Sequence, residues 1–401
     1  VKGDIHDIDK NIVKIKHSYL DWVVPGTAVK ARMGIQRIFL PDYASEASQV
    51  FDADVAGISV AAPLTEHLSL TAFWARAFND NWAAPDGGQS GWLDNADFFG
   101  LLLPVTYEDI RLTPWALLGT IGKNAFRHGN GRFYSRNSEG SYGIGLSPSA
   151  YRFDGRESSL AHATAFWAGL TGEITAARPL RLAWSAAWGS VATGDAALDR
   201  HGWYASALAE YALDWGTPGI YGWYSSGDDG DPANGSERMP YLSVANVHNA
   251  WSHYAFNGNE YISREGAVGN GMTGTWGVGL QLRDVNVIED LYQTFRVNLI
   301  GGTNDPGMAK WLSSQGLAAN SGALSGTVGM DGLYLTRQDY ALEWGLTSTT
   351  KVTENFTVAL DVAYVALWLD HDSSVWGNSR MNGRNDEVRD AWNFSLSYMY
   401  S

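Results

Sequence analysis

Residues able to do chemistry are few in this chain, and their spacing suits no familiar reaction. GNGMTG (269–274) matches a dinucleotide-binding glycine pattern, yet it leads into a strand-like segment and opens no helix, so nothing stands ready to cradle a phosphate. His248 and His253 are five apart, and on a loop or strand that spacing aligns no pair of metal ligands. No G-x-S-x-G elbow occurs. Cysteine is absent, which removes disulfides, thiolate zinc sites and Cys nucleophiles together. The acid-rich GDDGDPANGSE (227–237) offers Asp228, Asp229, Asp231 and Glu237 as oxygen ligands for calcium. It lacks the spacing of an EF-hand loop, and a solvated acidic loop is the plainer reading. Nothing nominates an enzyme's residues, and calcium in an external loop is the one cofactor the sequence suggests.

The basic residues are more informative. Lys14, Lys16, Lys30 and Arg32 fall on one parity of two adjoining segments. A second group, Lys123, Arg127, Arg132, Arg136, Arg152 and Arg156, lies in the long stretch 122–158 against Glu139, Asp154 and Glu157, a local excess of three positive charges. The whole chain is acidic, with 28 Lys plus Arg against 43 Asp plus Glu and a net charge of −15, which argues against a nucleic-acid partner. A basic lining inside an acidic protein is the arrangement that admits anions through a channel.

Whatever positions these residues is built from strands. Segments of period two recur from end to end, and no long helical period competes with them. In 28–36 Val29, Ala31, Met33 and Ile35 alternate with Lys30, Arg32 and Gln36. In 355–368 Phe356, Val358, Leu360, Val362, Tyr364, Ala366 and Trp368 share a parity, with Asp361 on the other. In 334–346 Arg337, Asp339 and Glu343 oppose Tyr340, Leu342 and Trp344, and in 203–215 Glu210 and Asp214 oppose Trp203, Tyr211 and Trp215. The charges avoid the aromatic parity; Arg76, at a strand end, is an exception. In lipid an exposed Arg or Lys near the bilayer midplane costs about 2–4 kcal/mol.

Composition agrees with a boundary protein: 45 Gly, 18 Trp and 19 Tyr with 18% charged residues. No run of apolar residues is long enough for a membrane-spanning helix, which leaves a closed barrel as the spanning structure. Connections alternate. Short ones (24–27, 62–67, 107–109, 177–179, 216–219, 284–289, 347–354) separate long Gly-, Asn- and Asp-rich ones near 39–52, 79–96, 122–158, 190–201, 227–271, 302–332 and 371–387. The reading is one all-β domain over 1–401, an antiparallel transmembrane β-barrel with short periplasmic turns and long external loops. Fifteen spans are countable; since barrels of this kind are usually even, about sixteen are expected, with a strand or strands before Val1.

The C-terminal ladder Trp392, Phe394, Leu396, Tyr398 and Tyr400 resembles the terminal signature of Gram-negative outer-membrane β-barrels, although Ser401 follows where that signature ends on an aromatic. The segment VKIKHSYLDWVVPGTAVKARMGIQRIFLP (13–41) is similar to the paired early strands of homotrimeric porins from sulfate-reducing bacteria. That resemblance implies a homotrimer in outer-membrane lipid whose water-filled pores pass small hydrophilic solutes. With the basic lining, mild anion preference is expected, with 122–158 folded into the channel as its constriction. From the apolar double-parity segments 52–63 and 98–105, strands within 53–121 are expected to face the threefold axis, packed outside by a neighbouring subunit and inside by a loop. The competing expectation is a secreted, aromatic-rich β-protein that stacks Trp faces on carbohydrate.

Overall fold

An apolar parity facing a small or polar one is satisfied only by extended chain, since successive strand residues point to opposite faces. The computed structural model describes residues 17–79, 95–122, 127–128, 132–133, 162–244, 251–252, 272–314, 335–370, 372–376 and 391–400. In chain order its strands are β1 (Ser18–Val23), β2 (Lys30–Phe39), β3 (Phe51–Pro63), β4 (Ser69–Asn79), β5 (Asn95–Leu102), β6 (Val105–Tyr107), β7 (Ile110–Gly122), β8 (Arg127–His128), β9 (Arg132–Phe133) and β10 (His162–Ile174). They continue with β11 (Leu180–Ala192), β12 (Arg200–Tyr211), β13 (Thr217–Ser225), β14 (Ser243–Val244), β15 (Thr275–Ile288), β16 (Leu291–Gly302), β17 (Tyr340–Thr353), β18 (Phe356–Trp368) and β19 (Ala391–Tyr400).

Fifteen of these are wall strands, each pairing antiparallel with the next along the chain. The short β6 extends the wall beside β7, β8 and β9 form a separate hairpin, and β14 lies parallel to the start of β3. Because the count is odd, β1 and β19 run the same way. A sixteenth strand between them would make every pair antiparallel. All fifteen expected spans are strands. The clearest boundary difference is at the short connections 284–289 and 347–354, where β15 runs to Ile288 and β17 to Thr353. The β-branched residues there keep the ladder going almost to the turn, through bulges near Val285 and Lys351.

Register assigns the faces. Along the outside, Trp188 stands opposite Trp203, Tyr224 opposite Trp276, and Tyr340 opposite Trp368. Trp203 and Tyr224 stack with ring centroids 4.9 Å apart, so an aromatic row crosses from β11 to β18 at one level. Toward the short-turn side of this row lie exposed aliphatics, among them Leu170, Leu182, Ile220, Val278, Leu280, Leu299, Leu342 and Leu360. The 13-residue β18 covers about 30 Å of height at ~3.3 Å per residue and ~40° of tilt, enough for a hydrocarbon layer. Arg76, the outward exception, is held by Asp97 through Nε–Oδ1 and Nη2–Oδ2 contacts of 2.9 and 3.0 Å; Arg37 pairs likewise with Asp52 at the same end of the wall.

Inside, the abundant glycine has a specific use. Phe73 lies over Gly100, Phe98 over Gly119, Trp115 over Gly169 and Trp167 over Gly189, each ring resting on the next wall strand where a Cβ would sit 2.1–2.5 Å from it. These rings, with Phe51, Leu117 and Ile121, form a buried cluster against two connections that turn inward. The first is 40–50. The second passes through 237–244, where Pro240 O accepts the Trp167 indole N–H at 2.8 Å and Leu242 N–H donates to Val50 O at 2.8 Å. The inner faces of β3 and β5 are therefore apolar because loops cover them, as expected for 52–63 and 98–105. Toward the long-loop side, helices α1 (Pro306–Ser314) and α2 (Ser373–Trp376) meet through a Lys310–Asp372 ion pair at 2.9 Å. The Ser374 hydroxyl and Lys310 hold the Asp372 carboxyl down at about 2. Among the described residues no helix is long and apolar enough to cross a membrane.

Candidate functional site

The inward parity that carries glycine and rings at one end of the wall carries charge farther along. Arg111 on β7 contacts Glu173 on β10 (2.6 Å), and Glu173 contacts Arg181 on β11 (3.0 Å). Arg181 then contacts Glu210 on β12 (2.8 Å), and Glu210 accepts from Gln281 on β15 (3.2 Å). Gln281 in turn accepts from Arg296 on β16 at 3.4 Å. A girdle of guanidinium, carboxylate and carboxamide groups thus follows the inner wall across β7–β16. At β13 the register places Gly219 between Glu210 and Gln281. A Cβ there would sit 3.1 Å from Glu210 Cβ and 3.3 Å from Gln281 Cγ, so the missing side chain lets the two neighbours meet.

The 40–50 connection lies against this girdle. Tyr43 donates its N–H to Thr171 Oγ1 (2.8 Å), shares a hydroxyl contact with Thr113 (2.8 Å), accepts Arg181 Nη2–H at its carbonyl (2.8 Å), and places its ring 4.6 Å from the Arg111 guanidinium carbon. Asp42 is the anchor. Its carboxylate accepts from the Ala44 and Ser45 N–H groups, from Ser185 Oγ at 2.7 Å and from the Tyr204 hydroxyl. Burial pushes this carboxyl up, against the hydrogen bonds that hold it down. Glu46, at φ 59°, reaches both Arg181 (3.4 Å) and Arg283 (3.3 Å). A bonded carboxylate at one end and a reaching one at the other therefore fix the loop to strands more than 100 residues away in sequence.

Of the basic residues singled out in the sequence, Lys30 and Arg32 point inward, where both meet Asp21 of β1 (3.0 and 2.6 Å) and Arg32 covers the Tyr19 ring at 3.8 Å. Lys14, Lys16, Lys123, Arg136, Arg152 and Arg156 lie outside the described residues. Arg127 and Arg132 stand on β8 and β9, whose backbones pair. The acidic group 228–237 is placed. Asp228 accepts from Ser236 Oγ and Glu237 N–H, Asp229 from Asp231 N–H and Asn234, Asp231 from Ala233 N–H, and Glu237 from Asp229 N–H. Their oxygens cap turns instead of converging, and burial pushes the Glu237 carboxyl up. No cluster able to hold a metal is found among the described residues. Residues the sequence reading missed are Arg111, Glu173, Arg181, Glu210, Arg283, Arg296 and the loop pair Asp42 and Glu46. For Arg181, Arg283 and Arg296 the available signal was parity, since each falls opposite its strand's lipid-side row, whereas Arg111, Glu173 and Glu210 share their parity with buried rings or leucines.

No known family's sequence pattern matches the chain, and no curated protein sequence does. Among solved structures it is similar to the outer membrane protein OprD of Pseudomonas aeruginosa, with 12% identity, 93% of this chain and 75% of that one covered, and a TM-score of 0.47. OccK11 (OpdR) of the same organism gives 12%, 93%, 76% and 0.44. OccAB3 of Acinetobacter baumannii gives 10%, 93%, 74% and 0.48. At such identities and scores the functional reading belongs to the chain's own residues.

Proposed function

We propose that the chain is a passive diffusion channel of the Gram-negative outer membrane, mildly anion-preferring and assembled as a homotrimer, passing small hydrophilic solutes. One observation carries the channel reading. Every strand that contributes to the inner charged girdle bears large apolar residues on its outer face, as with Arg181 beside Leu182 and Trp188, or Arg296 beside Phe295 and Leu299. A protein dissolved in water has no use for that inversion, whereas a wall between lipid and an aqueous lumen requires it. The outer tryptophans also run as a row around a convex wall, not in a cleft, which disfavours stacking on a sugar.

Anion preference is supported by two ion pairs of the girdle in which the guanidinium is the more accessible side. Arg111 keeps 51% of its side chain accessible while its partner Glu173 keeps 11%. Arg181 keeps 21% against 6% for Glu210. In these two pairs the carboxylate lies behind the guanidinium, so passing ions meet positive charge first there, while Glu46 of the loop is the more accessible partner of Arg181 and Arg283. For assembly, the outward ion pairs on β2–β5 give two copies polar contacts within an apolar face, and chemical cross-linking in mild detergent is expected to stop at three subunits.

The selectivity test is the zero-current potential across a planar bilayer under a KCl gradient. Wild type is expected to take the sign set by chloride, and Arg111→Glu to move toward or past zero. Cation selectivity in the wild type would refute the preference. The same reading on Arg132→Glu with Arg136→Glu bears on 122–158; unchanged selectivity there would leave the constriction to 40–50 alone.

A further inference from the structure

The 40–50 connection closes on itself over a small polar cavity. Leu40 donates its N–H to Phe51 O at 2.9 Å, so the ends of the loop are joined and the chain between them packs around its own interior. That interior meets the wall in a cavity of about 10 Å³, lined by Asp42, Ser48 and Gln49 from the loop and by Ser185, Ala187 and Tyr204 from β11 and β12. Three groups there have hydrogen-bonding capacity to spare. Gln49 is 7% exposed, and its Oε1 is buried with no hydrogen-bond partner. Turning the amide does not cure this, because its Nε2–H donates to Ala47 O at 3.1 Å and a flip would set oxygen against oxygen. Ser48 Oγ accepts the Val50 and Phe51 N–H groups at 3.4 and 3.0 Å, which uses its lone pairs and leaves its own hydrogen as a donor. Asp42 Oδ1 takes three donors, whereas Oδ2 takes the Tyr204 hydroxyl and keeps capacity for another.

We propose that this cavity is a binding site for one water molecule, which accepts from Ser48, donates to Gln49 Oε1 and Asp42 Oδ2, and so clasps the end of the loop to its anchor. Three contacts are the usual number for a buried water, and the cavity is about the size one water needs. Cavities that stay dry are lined by apolar groups, and this one is not. The bridge carries the hold of Asp42, at the start of the loop, across to Ser48 and Gln49 at its end. Docking of 40–50 therefore depends on a solvent molecule as well as on its direct contacts. The inference concerns the loop alone and holds whatever the barrel passes.

The test fills the cavity. Val50 and Ala187 both line it, and Val50→Ile or Ala187→Val adds carbon to the same space from the loop or from the wall. Filling a dry void is stabilising or neutral. Displacing a bonded water instead leaves Gln49 and Asp42 short of a donor. Opening of the loop is read as the rate of protease cleavage within 40–50 of the intact protein, under conditions where that rate follows the open population. Each filling substitution is expected to speed cleavage about fivefold, the worth of one hydrogen bond. In Gln49→Met, which keeps the length of the side chain without its oxygen, the same substitutions are expected to have little further effect. Overpacking would also speed cleavage, but equally in both backgrounds. Diffraction from crystals of the intact protein is expected to show one ordered water within hydrogen-bond distance of Ser48 Oγ, Gln49 Oε1 and Asp42 Oδ2. Cleavage slowed or unchanged by filling, an equal acceleration in Gln49→Met, or electron density without that water would overturn the clasp.

Discussion

Asp42→Ala is expected to release the 40–50 loop from the wall, with a larger and noisier single-channel current as the readout. Four donors converge on that carboxylate, two from the loop's own backbone and two from Ser185 and Tyr204 on the wall. The hydroxyls retain other partners, Thr171 for Ser185 and Ser206 for Tyr204. The Ala44 and Ser45 N–H groups lose their acceptor inside the protein. Stranding two buried donors costs about 2–4 kcal/mol, which is enough to populate an undocked loop. With the loop loose, Glu46 leaves Arg181 and Arg283 as well, so anion selectivity should rise along with conductance. The same variant should become sensitive to protease within 40–50 while the wall strands stay resistant. A current and a digestion pattern identical to wild type would show that the Tyr43, Glu46 and Val50 contacts hold the loop without Asp42.

Leu280→Arg is expected to be the most destabilising change on the outer wall, and its contrast with Val287→Arg on the same strand is the informative comparison. Leu280 is 60% exposed in the middle of the aliphatic belt, and Val287 is 83% exposed at the short-turn end. In water both substitutions would be nearly neutral, since neither site is buried. In a bilayer an Arg near midplane costs about 2–4 kcal/mol and one near the boundary about 0–1 kcal/mol. Urea titration of the protein refolded into lipid vesicles should separate the two variants by that amount. Two equally small effects would take lipid away from this face and revive a soluble reading of the aromatic surface.

Period-two alternation made the wall legible, because a strand buried on different terms on its two faces has little freedom of register. Leu280 and Leu342 could be assigned outward from sequence because each sits in a run whose other parity is small, polar or charged, whereas Ile220 could not, since Tyr221 and Trp223 fill the other parity of its strand. The site was harder to read for a geometric reason. Arg111, Glu173, Arg181, Glu210 and Arg296 are each an ordinary inward charge; only cross-strand register shows that they stand at neighbouring levels. PDYASEASQ (41–49) carries no periodic signal at all. Its clue was composition: small Ala and Ser without glycine or lysine suits a segment packed against a wall better than one left in water. Attention went instead to 122–158 on length and charge.

The rings lying over glycines decide how the inner connections seat on the wall. How closely the 40–50 and 237–244 connections approach the wall depends on how flat Phe73, Phe98, Trp115 and Trp167 can lie beneath them, and the permission to lie flat comes from Gly100, Gly119, Gly169 and Gly189 on the neighbouring strands. One methyl group at Gly189 would drive the Trp167 indole off the wall and against Pro240 of the covering connection, without adding or removing a charge. Which ions are welcome is set elsewhere, by the girdle. Loop seating and charge are therefore written in different residues of the wall and meet only in the 40–50 connection, which lies over the rings and touches the girdle through Glu46.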